Sequence, residues 1–353
     1  MPAKAPIKVM VVDDSSLMRS HICSALVENG MVTDTAANGQ ECLNKLNTFV
    51  PDVITLDINM PVMDGLACLK RIMQNRPTPV VMVSSLTQKN AEETLQALEM
   101  GAVDYVGKPH GPVSLTLNRS KYMLVSKVLN ASKIKVKAKS TGRVVEQKTV
   151  ARPLNMGSLG GGGRKFDLVI MGVSTGGPSS LNEILPKLPA NYPYPVVIAQ
   201  HMPSRFTQVF AARLDKMCEI SVSELTSPTA LQPGHVYIAQ GDANVEVFAR
   251  GSQLWARPND ESTEHIWRPS ITKLVESALL VVSHKKLCCV QLTGMGNDGA
   301  QAMAKAHSLG ATTFAESEKT ATVYGMPKEL VKLGGASKVL PNYDIAQALL
   351  SLN

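Results

Sequence analysis

Aromatic residues are scarce: Phe, Trp and Tyr make up 4% of the 353 residues, and only two are tryptophan. Only Tyr122 falls within the basic stretch Arg119–Arg152, too few rings for a stacking platform for single-stranded nucleic acid. Cys23, Cys42, Cys68, Cys218, Cys288 and Cys289 form no CxxC pair and no disulfide-framework spacing. They read as free thiols in a reducing compartment, so the expected location is cytoplasmic. No apolar run approaches the roughly 18 residues of a membrane helix, and no secretory-signal pattern leads the chain, so no membrane insertion is expected. There is no internal repeat. Acidic residues are nearly missing from one stretch: ten Lys and Arg between Arg119 and Arg152 face a single acid, Glu146. The whole chain carries a formal charge of +7, so the rest is slightly acidic. The basic character belongs to one segment, and no helix-turn-helix pattern follows it, so no nucleic-acid partner is expected.

What is present is a cored, alternating chain. Apolar residues make up 44% of it, and its length suits two or three domains of about 100–200 residues each. Strand-like runs at residues 7–12, 32–36, 53–57, 80–84 and 103–106 alternate with amphipathic stretches at 17–28, 40–49, 66–74 and 92–100. This rhythm implies an α/β fold with a parallel sheet covered on both faces. After a helical stretch at 115–129 the composition turns to Lys, Ser and Thr, then Gly157-Ser158-Leu159 and four glycines. That is linker composition; no strand precedes the glycines and no Lys-Ser/Thr pair follows, as a phosphate loop would need. From residue 166 the alternation resumes, with strands ending at Val173, Gln200, Leu292 and Phe314. The irregular stretch between Ile220 and Arg257 is expected to add antiparallel strands.

Ligands of a parallel sheet bind at the C-terminal strand edge. In the first unit that edge receives Asp13 and Asp14 after the first strand, Asp57 at the end of the third, Ser84 at the end of the fourth and Lys108 after the fifth. Three converging carboxylates repel one another unless a cation joins them, and hard oxygen ligands suit Mg²⁺. A carboxylate beside Mg²⁺ and a lysine can accept a phosphoryl group. Asp57, on the central strand, is the expected acceptor; Asp13 and Asp14 are expected to hold the metal with it. The stretches VVDDS, LDINMPVMDG, VMVSS and DYVGKP resemble the receiver domain of two-component response regulators. That resemblance implies a flavodoxin-like (βα)5 fold, phosphorylation of Asp57, and a switch formed by Ser84, Tyr105 and Lys108. Asn59 departs from the acidic residue common there and bears on phosphate lifetime.

In the second unit, Gly172-Val173-Ser174-Thr175-Gly176 fits G-x-S-x-G, the strand-to-helix turn of a nucleophilic serine. A dinucleotide-binding turn would also be glycine-rich, but Ser174 stands where that fingerprint has glycine, and no acid ends the next strand. A serine needs a base. His201 directly follows the next strand on the same edge; His265, in a loop before Arg268-Pro269, is the other candidate. His21, His110, His235, His284 and His307 fall at the wrong edge, in helices or at the hinge. Asp298, after the strand ending at Leu292, reaches the same edge and could hold the tautomer of the base.

GVSTGGP, AQHMP, LTGMGNDGA and VYGMP then resemble the catalytic domain of the chemotaxis protein-glutamate methylesterase family. The resemblance spans nearly the whole chain and implies a receiver at 1–120, a basic, Gly-rich linker at 121–165 and a methylesterase domain at 166–353. It implies a doubly wound, mostly parallel α/β esterase fold with a small antiparallel addition. It also implies that Ser174 attacks methylated glutamates of chemotaxis receptors, with His201 as base and Asp298 orienting it. The backbone amides of Thr175 and Met295 would hold the oxyanion. Glutamine deamidation is the same acyl chemistry. The implied partners are methyl-accepting receptors as substrate and a chemotaxis histidine kinase as phosphodonor, with the chain a monomer. Mg²⁺ is the cofactor of the receiver, and none is expected for ester hydrolysis. The receiver edge is expected to pack over the Ser174 edge and release it on phosphorylation of Asp57. A DNA-binding response regulator and a nucleotide-dependent oxidoreductase remain the competing classes at this level.

Overall fold

A computed structural model of the chain describes residues 5–85, 87–108, 114–134, 136, 166–259 and 267–352. The first unit alternates β1 (Lys8–Val12), α1 (Ser16–Val27), β2 (Val32–Ala36), α2 (Gly39–Lys45), β3 (Val53–Asp57), α3 (Gly65–Asn75), β4 (Val80–Ser84), α4 (Gln88–Met100), β5 (Asp104–Gly107) and α5 (Ser114–Ala131). The strands form one sheet in the order β2-β1-β3-β4-β5, with every neighbouring pair parallel. Strands β3 and β4 are buried at every position, which is why they read as mostly apolar runs, broken only by Thr55 before their polar ends Asp57 and Ser84, rather than as alternating ones. Helix α5 runs past residue 120, and its Val125, Val128 and Ala131 join the core of this sheet, so the first unit's packing extends beyond the boundary expected from the sequence.

The second unit opens with β6 (Leu168–Val173), α6 (Gly177–Ile184), β7 (Val196–Gln200), α7 (Ser204–Met217) and β8 (Ser221–Leu225). It continues through β9 (Thr229–Ala230), β10 (His235–Ala239), β11 (Asn244–Arg250), β12 (Gln253–Asn259), α8 (Ile271–Val281) and β13 (Leu287–Gln291). It ends with α9 (Ala300–Ser308), β14 (Thr312–Glu316), α10 (Met326–Lys332), β15 (Lys338–Leu340) and α11 (Asn342–Leu350). Seven strands form a parallel sheet in the order β15-β14-β13-β6-β7-β10-β8. The chain starts in the middle at β6, winds out to one side and returns to the other, so β6 lies at the topological switch point. Strands β9, β11 and β12 form the small antiparallel sheet. The expectation for residues 220–257 is corrected in part: β8 and β10 lie within that range but pair in parallel on the main sheet. Their apolar residues Val222, Val236 and Ile238 are buried there. Among the described residues no helix is long and apolar enough to cross a membrane.

The two units share a continuous apolar cluster in which Leu95, Leu98 and Tyr105 belong to the first and Phe206, Phe210 and Leu181 to the second. The Tyr105 and Phe206 rings stack with centroids 4.6 Å apart and planes 16° from parallel, an arrangement worth about 0.5–1.5 kcal/mol beyond the buried area. Around it, Glu99 pairs with Arg213 and accepts a 3.2 Å hydrogen bond from Asn182. The Glu99–Arg213 pair is part-exposed and adds less than about 1 kcal/mol. Thr175 donates to Asp104, and Asn130 contacts Met295. Among the described residues these contacts come from α4, β5 and α5, not from the Asp57 edge. The expected edge-to-edge packing is therefore corrected: the apolar surface to be buried sits on the α4–β5–α5 face, whereas the phosphoacceptor edge is charged.

The loop between Asp57 and α3 folds back tightly. The Gly65 amide donates to the Ile58 carbonyl at 2.8 Å, and a Cβ at Gly65 would lie 2.0 Å from the Asp57 carbonyl oxygen. Gly65→Ala is expected to displace the start of α3 and cost about 2–4 kcal/mol, read as a lowered first transition in the thermal melt of the full chain.

Candidate active site

Ser174 follows β6 directly. Its amide donates to the Thr293 carbonyl at 2.9 Å, and the Gly177 amide closes a turn onto the Ser174 carbonyl at 2.8 Å. The left-handed residue of this turn is Gly176, at φ 80°, where a side chain would be strained and would strike Thr322. Ser174 itself has no positive φ, so the turn differs from the strained elbow that G-x-S-x-G suggests. The loop after β13 is tied to this turn: Thr293 Oγ1 donates to the Thr175 carbonyl at 2.8 Å. Glu316, fully buried at the end of β14, accepts from the Thr293 amide at 2.8 Å. Burial pushes the Glu316 carboxyl above its ordinary value.

His201 bridges the other two side chains. Its Nδ1 lies 3.1 Å from Ser174 Oγ and its Nε2 lies 2.8 Å from Asp298 Oδ2. With the proton on Nε2 donated to Asp298, Nδ1 is free to accept from the serine hydroxyl. Ser174, His201 and Asp298 are each 8% exposed. Asp298 is saturated with donors: the Ile271 amide at 2.8 Å, the Thr272 amide at 3.0 Å, Thr272 Oγ1 at 2.6 Å and Ser270 Oγ at 3.2 Å. Three of these come from the first turn of α8, whose dipole favours an anion there. Burial alone would raise the Asp298 carboxyl, but the hydrogen bonds from His201, Thr272 and Ile271 outweigh it and hold it well below the carboxylate range. The Thr175 and Met295 amides lie on the two loops that meet here, and neither donates to a protein acceptor among the described residues.

At the edge of the first sheet, ligand atoms of Asp13, Asp14 and Asp57 lie within 4.8 Å of one another. Lys108 Nζ is 2.8 Å from both Asp13 and Asp57. Burial raises the Asp57 carboxyl against the lowering effect of Lys108. Asp14 is exposed, which leaves the cluster open to solvent on one side. Three hard carboxylates with an open side suit a divalent cation such as Mg²⁺. Ser84 is fully buried beside this edge, its carbonyl accepting from the Lys108 amide at 2.8 Å. Tyr105 is not directed to that cluster but lies in the contact with Phe206. Asn59 donates to Asn90 at 3.2 Å. His110, His265 and, of the basic segment, residues 135 and 137–152 lie outside the described residues.

The segment Trp267–Thr272 is the part of the site that sequence reasoning missed. It supplies the donors to Asp298, and Trp267 stacks on His201 with centroids 5.0 Å apart and planes 4° from parallel. Backbone donors carry no residue-type signal; Ser270 as the residue preceding an apolar helix was the one available clue.

These features define a class: a two-unit α/β hydrolase with a receiver-like unit packed beside a serine, histidine and aspartate at one sheet edge. Residues 169–349 match the family model described as CheB methylesterase, and residues 9–118 match the response regulator receiver domain. The chain is 46% identical to protein-glutamate methylesterase/protein-glutamine glutaminase 3 of Rhodospirillum rubrum, covering 97% of this chain and 95% of that protein. It is 44% identical to the corresponding protein 2 of Rhodopseudomonas palustris, covering 98% and 97%. The crystal structure of the Thermotoga maritima CheB methylesterase catalytic domain covers 53% of this chain and 99% of that one, at 38% identity and a TM-score of 0.52. The chain belongs to the CheB methylesterase family.

Thr272→Val removes the shortest donor to Asp298. It is expected to cost about 1.5–3 kcal/mol of stability at pH 7. A depressed carboxylate stabilises the fold above its unfolded pKa and loses that contribution as pH falls toward the folded one. The gap from wild type is therefore expected to narrow below about pH 4, near the ordinary aspartate value, in denaturant melts run across pH.

Proposed function

We propose that the chain is a phosphorylation-controlled esterase that removes methyl groups from glutamates of methyl-accepting chemotaxis receptors. The observation that carries this reading is the single imidazole spanning Ser174 and Asp298 at 3.1 Å and 2.8 Å. In this reading Ser174 Oγ attacks the γ-carbonyl carbon of the methyl ester as its proton passes to His201 Nδ1. The charge gathering on the carbonyl oxygen is received by the Thr175 and Met295 amides. Collapse expels methoxide, which takes the proton from His201 and leaves as methanol. Water then attacks the acyl-enzyme with His201 again as base, returning Ser174 and releasing glutamate. With a glutamine side chain the same cycle expels ammonia, which is deamidation. Asp298 stays ionised throughout and stabilises the imidazolium that forms in each half-cycle.

The receiver reading rests on the first cluster. Asp13, Asp14 and Asp57 would hold Mg²⁺, which would neutralise charge on a phosphoryl group at Asp57. Lys108 contributes a second positive charge to Asp57, and Ser84 and Tyr105 are the switch residues. A histidine kinase is the phosphodonor. The receiver restrains the esterase by its α4–β5–α5 face, which reaches both loops of the site: Asp104 takes the Thr175 hydroxyl and Asn130 contacts Met295. Phosphorylation shifts the population away from this closed arrangement.

Methanol release from methylated receptor membranes tests the reading, with and without acetyl phosphate. Ser174→Ala is expected to lose activity by several orders of magnitude; normal release from it sinks the triad. Asp57→Asn is expected to keep the unstimulated rate and lose the stimulation. Phe206→Ala removes the ring against Tyr105 and is expected to raise the unstimulated rate several-fold while lowering the remaining stimulation. An unchanged ratio would sink the interface as the restraint.

A further inference from the structure

Trp267 has no role in the cycle described above, yet it covers one face of the base. The indole and imidazole planes are 4° from parallel with centroids 5.0 Å apart, an offset stack. His201 is buried, and its two ring nitrogens lie in the plane of the ring between Ser174 and Asp298. Those hydrogen bonds restrain the ring within its plane but resist tilting only weakly. Rotation about the Cβ–Cγ bond would swing the ring edge out of plane, into the volume that the indole fills. Such a flip would put carbon where each nitrogen now stands and break both contacts. The indole blocks it sterically.

The stack also acts on charge. When the serine proton reaches Nδ1, His201 becomes a cation with one opposite charge, Asp298, hydrogen-bonded in the ring plane. An indole face is the best aromatic partner for a cation, and the attraction grows where water is excluded. Trp267 thus faces the forming imidazolium perpendicular to the direction served by Asp298. Both services come from one short stretch: Ser270, Ile271 and Thr272 hold Asp298, and three residues earlier Trp267 holds His201. The histidine and its carboxylate are therefore placed by the same segment of chain, immediately before and within the first turn of α8.

We propose that Trp267 is a positioning residue of the esterase, acting through His201 by holding its ring plane and facing the imidazolium formed during the cycle; this rests on the esterase reading given above. The first test needs no turnover. In the full chain carrying Trp255→Phe, Trp267 is the one remaining tryptophan. An imidazolium stacked on an indole quenches its emission. Emission is expected to fall in one step as pH is lowered, and the step is expected to vanish when His201→Asn is added. A step that survives His201→Asn, or no step at all, overturns the coupling.

The second test is kinetic, with acetyl phosphate present. Trp267→Ala is expected to lower kcat about 3- to 30-fold with KM changed less than about twofold, and Trp267→Phe, which keeps a stacking face, to recover most of kcat. A loss confined to KM makes Trp267 a substrate contact, and unchanged kcat removes any role; either result overturns the proposal. Because the fluorescence step is read without substrate, its failure is separate from failure of the esterase reading, which Ser174→Ala tests.

Discussion

A carboxylate removed from water must be given donors or lose its charge, and the second unit is arranged around that constraint at Asp298. Its donors are drawn from the histidine, from two hydroxyls and from amides at the start of α8. An anion placed there stays ionised because the hydrogen bonds outweigh the cost of burial. Once the carboxylate is held, the imidazole has one favourable orientation. That orientation turns Nδ1 toward Ser174, whereas in the serine-protease template Nε2 faces the serine. The ring is reversed, yet the division of labour between its nitrogens is the same.

The sheet explains how three distant residues meet. Ser174, His201 and Asp298 follow β6, β7 and β13, which are neighbours in the order of the main sheet. Parallel neighbours end on one side, so each loop delivers its side chain to a common place without any long connection. The hydrogen bonds between Thr293 and the Ser174–Thr175 turn then fix the loop after β13 to the turn after β6. Glu316 extends this bracing one strand further out, through the Thr293 amide.

Much of this was legible in the sequence, for definite reasons. Strands such as Val53–Asp57 and Val80–Ser84 are buried on both faces, so their mostly apolar sequences stand out from their surroundings. The placement of Asp13, Asp14, Asp57 and Lys108 at one edge, and of Ser174, His201 and Asp298 at another, followed from strand ends alone. What escaped were features set by tertiary packing. Strands β8 and β10 carry no local mark of their direction, and only the seat of β10 beside β7, with β8 against β10, makes them parallel. The role of α4 and β5 as a docking face depends on Leu95, Leu98 and Tyr105 meeting a partner whose position no local pattern encodes. Trp267 sits in a loop beside a histidine 66 positions earlier in the chain, and no spacing rule connects them.

The contact of Asp104 with Thr175 and of Asn130 with Met295 has a thermodynamic consequence for the receiver. If the docked receiver and a bound ester compete for the same two loops, each must weaken the other by one common factor, because coupling between binding events is reciprocal. The phosphoacceptor site would then sense occupancy of the esterase site. A receptor glutamate seated at Ser174 would favour the undocked receiver, and with it the phosphorylated form of Asp57. The abundance of methylated substrate would thereby enter the signal that governs its own removal.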